Sequence, residues 1–321
     1  MRSGAVISFL ALSACSERAL PLDEATSLHQ PLHWEIGPDM PTGRYGLGAA
    51  TGRDGRIYAV GGIVRAASDD RFVSTVEVYD PVSQQWARAA DMVDRLGLAS
   101  AIGVPDGRLY AFGDDGATSS GKVNAYSPTA DTWVSQGATS THRRSNFAVT
   151  GDAEGWIHLL GGEGSMGSAL ATMDAYLPAE NRWTVEPGFS IARTALAATT
   201  DRQGRIYAIG GFAREALSAV EIYAPARPAW SRGPALPTAR YALAATTGAD
   251  GRIYVIGGED QRFLSTVEIF DAKTGAWIAG PAMPTARAAL ALATGADGRI
   301  YAIGGFSSNE ANLRTVEVLV P

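Results

Sequence analysis

The chain has 321 residues, 46% hydrophobic and 19% charged, with a formal net charge of −6. That composition is globular rather than disordered, and its acidic balance argues against nucleic acid or a polybasic membrane surface as partner. A single cysteine, Cys15, excludes an intramolecular disulfide and a multi-thiolate zinc site, and no run of about 20 apolar residues provides an ordinary transmembrane helix.

The first 15 residues read as a targeting signal. Arg2 supplies a basic start, Ala5 to Leu12 a short apolar core, and Ser13-Ala14 small residues before Cys15. Leu12-Ser13-Ala14-Cys15 resembles a bacterial lipoprotein cleavage box. That resemblance implies an acylated Cys15, secretion across the inner membrane and anchoring in the cell envelope, at the outer membrane or cell surface. Residues 16–30 are polar, carry Pro21, and read as a flexible tether.

From residue 31 to 321 the chain repeats. Six segments align on Arg56-Ile-Tyr-Ala-Val-Gly-Gly62 and its copies, the first glycine falling at 61, 113, 161, 210, 257 and 304. The period of 47 to 52 residues is that of stacked units or a closed propeller. Each unit holds four strand-like runs. A small apolar run such as Tyr241 to Thr247 ends in a tight turn, Asp250-Gly251. The Arg-Ile-Tyr run follows, then Thr75-Val-Glu-Val-Tyr79 and its copies, then a run centred on Trp86, Trp133, Trp183, Trp230 or Trp277.

The Gly-Gly doublet, the third-run tyrosine and the fourth-run tryptophan resemble the kelch repeat, which implies an all-β, six-bladed kelch-type β-propeller. Three positions depart from the pattern: Asp114 replaces a glycine, and Phe270 and Leu319 replace the tyrosine. The last unit lacks its tryptophan run, and residues 31–37, with Trp34, supply one at the front. The N-terminal strand is therefore expected to complete the last blade and close the ring, with blades beginning near 44, 95, 144, 193, 240 and 287.

Antiparallel strands place the long loops and the crossings between blades on one face, where binding is expected. Arg44, Arg95, Arg144, Arg193, Arg240 and Arg287 begin the innermost runs, 17 residues before the first glycine, or 18 in blade two, where Pro105 is taken to add one. As a ring at the channel mouth they, with Arg143, form a candidate binding site for an anionic ligand, since guanidinium is a planar donor fork. The competing expectation is that each pairs with an acid and pins its blade joint. The third-run acids Glu77, Asp174, Glu221, Glu268 and Glu317, with Asn124 in blade two, read as structural.

Chemistry is sparse. His142, beside Arg143 and Arg144, is the one candidate acid–base residue, and it needs a carboxylate partner. No metal site or cofactor is expected. Kelch-type galactose oxidases use a cysteine-linked tyrosine, which a chain whose sole cysteine is in the leader lacks. The reading is a non-enzymatic binding module of the cell envelope, engaging a protein, peptide or glycan through its loop face. The alternative is a sugar mutarotase of the sialic acid type, also six-bladed kelch proteins, acting at the channel mouth.

Overall fold

The structure, a computed structural model, describes residues 31–66, 69–114, 122–136, 140 and 142–321, and of Lys122 only the backbone. The expected signal, tether and lipid site at Cys15 lie outside the described residues. Residues 31–321 form six four-stranded antiparallel sheets around an axis.

Blade one runs Gly48–Thr51, Ile57–Val60, Val76–Asp80 and Gln85–Arg88 from the axis outward. Blade two runs Gly97–Gly103, Leu109–Asp114, Lys122–Ser127 and Thr132–Gln136. Blades three, four and five begin with Ala148–Gly151, Ala197–Thr200 and Ala244–Thr247. Blade six takes Ala291–Thr294, Ile300–Ile303 and Val316–Val320 from the C-terminus and His33–Ile36 from the N-terminus. Trp34 pairs with Leu319 as Trp86 pairs with Tyr79, so the expected closure is present. Closure leaves no long unpaired edge on the last blade.

The second strands are buried on both sides, which is why they read as unbroken apolar runs. Six apolar clusters fill the spaces between blades. At Gly62 the backbone adopts φ +105°, and a β-carbon would lie 2.9 Å from the Tyr45 carbonyl oxygen. The chain turns sharply there because only glycine fits. Blade two has Asp114 instead, and its second strand continues straight through it.

Two hydrogen-bonded belts run partway around the axis. At the turn end of the innermost strands, Thr51 Oγ1 donates to Thr294 O (2.8 Å), Thr294 Oγ1 to Thr247 O (3.0 Å) and Thr247 Oγ1 to Thr200 O (2.8 Å). Blade two ends in Gly103 and contributes no hydroxyl. At the loop end, Gly46 N–H donates to Ala289 O, Ala289 to Ala242 O, Ala242 to Ala195 O and Ala195 to Asn146 O, all at 2.8–2.9 Å. These residues, with Leu98, hold φ between +45° and +56°.

Candidate functional site

Five of the six arginines turn into their own blades rather than toward the mouth. Arg44, Arg144, Arg193, Arg240 and Arg287 are each 0% exposed. Each meets the acid of its third strand: Arg44 with Glu77 at 2.5 Å, Arg144 with Asp174 at 2.9 Å, Arg193 with Glu221 at 3.2 Å, Arg240 with Glu268 at 2.8 Å and Arg287 with Glu317 at 3.1 Å. Further donors reach carbonyls, as Arg44 reaches Ala59 O and Arg287 reaches Ala302 O. The acids also tie down the incoming joint, Glu77 accepting from Thr42 Oγ1 and Glu317 from Thr285 Oγ1. Burial pushes the guanidiniums below their ordinary value and the carboxylates push back. The expected six-membered anion ring is thus replaced by five interior ion pairs. A charge without solvent access is retained only when paired in this way.

Blade two breaks the rule by one residue. Leu96 N–H donates to Val73 O as Arg193 N–H donates to Leu170 O, and Gly62 N–H donates to Leu96 O as Gly211 N–H donates to Arg240 O. Leu96, 0% exposed, therefore holds the arginine's place. Pro105 adds nothing to the hairpin, because Gly103 faces Leu109 as Thr51 faces Ile57. Arg95 precedes that place and is exposed. The acid opposite is replaced by Asn124, buried with neither amide atom hydrogen-bonded. Arg143 precedes Arg144 in the same relation and is also exposed. Gly43, Ala192, Ala239 and Ala286 stand there in the other blades. Arg95 and Arg143 are thus the two solvent-facing members of the expected set.

His142 does find a carboxylate. Its Nδ1 lies 2.9 Å from Asp174 Oδ1, while Asp174 Oδ2 receives Arg144 and Ser140 Oγ. The substitution has a geometric cause. Asp174 is one methylene shorter than the glutamates of blades one, four, five and six, and His142 reaches it from the position that Thr42 and Thr285 hold in blades one and six. This dyad is not part of the cavity at the axis.

That cavity opens on the loop face, with a volume of about 370 Å³. Its walls are the innermost strands, presenting small residues such as Ala49, Ala101, Ala198 and Ala245, with Ser100 and Asn146 as polar points. Among the described residues, no aspartate, glutamate, lysine or arginine lines it. Tyr45, Tyr241 and Phe306 line it, and Phe212 and Phe263 behind them extend these rings into an arc across blades four, five, six and one. Phe212 meets Tyr241, and Phe306 meets both Tyr45 and Phe263, each edge to face at 5.2 Å. Burial and Asp70 raise the Tyr45 phenol, and burial and Glu259 raise that of Tyr241. The sequence reading missed this arc. Its signal was available: Phe212 and Phe306 follow a Gly-Gly doublet, and Tyr45 and Tyr241 follow a joint arginine.

Among known proteins, the Kelch motif profile matches residues 44–93 and 240–284. Beta-scruin of Limulus polyphemus is 30% identical over 192 residues, covering 56% of this chain and 20% of that protein. Kelch-like protein 23 of Homo sapiens is 27% identical over 184 residues, covering 56% of this chain and 30% of the relative. Kelch-like protein 26 of Danio rerio is 28% identical over 161 residues, covering 49% and 26%. The chain thus spans less than a third of the length of these curated relatives. Six closed blades, two of which carry the match to the Kelch motif, make the chain a six-bladed kelch-type β-propeller.

Proposed function

We propose that this propeller is a non-enzymatic binding module whose working surface is the loop face, and that its partner is a protein or peptide. One observation carries the reading: an uncharged, small-residue cavity of about 370 Å³ framed by an aromatic arc. Interface cores are depleted of charge and enriched in aromatic residues, and their energy concentrates on anchors that fill such pockets. Arg95 and Arg143, exposed on blades two and three, give the other half of the face its polar rim. The leader pattern and Cys15 support a lipid-anchored location in the cell envelope.

A photo-reactive phenylalanine analogue at Phe212 or Phe306 tests the reading. It is expected to cross-link a specific protein in envelope preparations, while the same probe at Gln203, on the turn face, does not. Cross-linking confined to Gln203 would overturn it.

The hydrogen bond between His142 and Asp174 favours a second reading, a sugar mutarotase using that dyad. The reading stands second because Asp174 is fully buried and shared with Arg144, and because no carboxylate, histidine, lysine or arginine among the described residues lines the axial cavity. Rapid anomer exchange of an acidic sugar, lost in His142→Ala with the fold intact, would promote it to first.

A further inference from the structure

Four of the six seams between blades share one packing device: an aromatic ring from a second strand meets an aromatic ring from the third strand of the next blade, whereas blade three offers His158 at the second-strand position. Tyr58 meets Tyr126 at 5.6 Å, Tyr110 meets Tyr176 at 6.3 Å, Tyr207 meets Phe270 at 5.9 Å, and Tyr301 meets Tyr79 at 5.7 Å across the ring closure. Between blades five and six the second-strand ring is Tyr254, but the third-strand position is Leu319. Register fixes the equivalence, since Leu319 faces Ile300 as Tyr79 faces Ile57.

A cavity of about 270 Å³ lies at this seam, where Tyr254 has no ring to meet. Its floor is apolar, formed by Ile300 and Leu319 with Tyr254 as one wall and Leu32 at the edge. Its lip carries two carboxylates, Asp250 and Asp297. Asp250 already accepts from the Tyr254 hydroxyl at 2.9 Å and the Arg252 N–H at 3.0 Å, and Asp297 from the Tyr301 hydroxyl at 2.7 Å and the Arg299 N–H at 3.1 Å. A carboxylate has about four acceptor sites, so both can take a further donor.

We propose that this seam is a binding slot for a small neutral aromatic molecule of the phenol or indole class. The chain itself shows the shape that fits, because the five other seams hold an aromatic side chain there: Tyr79, Tyr126, Tyr176, Tyr223 and Phe270. A ring in the slot regains the edge-to-face contact with Tyr254 and fills an apolar void that a leucine leaves open. The O–H or N–H of the ligand donates to the lip carboxylates. Each carboxylate has an arginine beside it, Arg252 at 3.6 Å and Arg299 at 3.8 Å, but no cationic side chain is among the described lining residues, so the slot disfavours an aromatic acid such as benzoate. The slot is distinct from the axial cavity, and shares no residue with it.

Titration of the full chain with p-cresol and with indole, followed by calorimetry and by the Ile300 methyl resonance, tests the assignment. One saturable site is expected for each, with the Ile300 methyl shifted upfield by the ring and no binding of benzoate. Leu319→Phe and Leu319→Tyr place the missing ring and are expected to weaken p-cresol by about tenfold or more. Phe270 occupies the equivalent position in blade five, so the phenylalanine variant suits the fold. Absence of saturable binding to the unsubstituted chain would make the cavity a packing void only. Equal affinity in both Leu319 variants, or binding of a capped Ala-Tyr-Ala peptide without binding of p-cresol, would also overturn the proposal.

Discussion

Trp34 stands opposite Leu319 in the last blade, and its indole N–H donates to Pro281 O at 2.9 Å. The first and last strands of the propeller are thereby one antiparallel pair, although nearly the whole propeller sequence separates them. Trp86, Trp133, Trp230 and Trp277 make the same bond to a carbonyl of the preceding joint. Deleting residues 31–37 is expected to expose the Val316–Val320 edge and to lower the thermal midpoint with aggregation. Calorimetry with light scattering checks this; an unchanged midpoint would show that closure contributes nothing.

The five interior ion pairs should behave as units. Arg287→Leu leaves Glu317 buried and unpaired, and is expected to cost about 3–5 kcal/mol in urea unfolding. Adding Glu317→Asn reproduces the Leu96 and Asn124 combination that blade two already carries. The double variant is expected to recover much of the loss. Additive losses in the double-mutant cycle would contradict the pairing.

All eleven tyrosines hold their protons above the ordinary phenol value of 10, burial being the first cause in each. The folded state therefore binds these protons more tightly than the unfolded chain. That contribution to stability is complete below pH 10 and is lost as the pH rises through the raised values. Arg193 and Arg287, pushed down to about 10 by burial, act in the opposite sense, as do the other interior arginines, but they are fewer. Absorbance of phenolate is expected to stay low at pH 10 and to rise together with loss of structure. A smooth independent titration centred on 10 would contradict the burial.

Cys15 is expected to carry lipid. Radioactive palmitate should label the chain, and Cys15→Ala should abolish the label. Label that survives the substitution, or its absence from the unsubstituted chain, would count against the anchor.

The strand order and closure were legible in the sequence because each blade repeats its own turn, doublet and tryptophan, so six imperfect copies corroborate one another. The site was less legible. An arginine in every copy marks a position, but its sequence does not say whether the side chain turns inward. That depends on Glu77 and its equivalents lying two strands away and reaching the same point. Arg95 misled for a related reason: its spacing differed by one, and only the backbone hydrogen bonds of Leu96 show which residue holds the place. The aromatic arc is assembled from loops of four blades, and periodicity within one blade is blind to it. Leu319 was visible as a departure, but the cavity it leaves requires the neighbouring Tyr254.

A protein partner bound at the loop face should dock on the aromatic-framed mouth. Affinity of the cross-linked partner for Phe212→Ala and Phe306→Ala, against Gln203→Ala, measures it most directly. Losses of about tenfold or more are expected for the two phenylalanine variants, each with an unchanged thermal midpoint, and none for Gln203→Ala. Full affinity in both phenylalanine variants, with loss at Gln203, would contradict the claim.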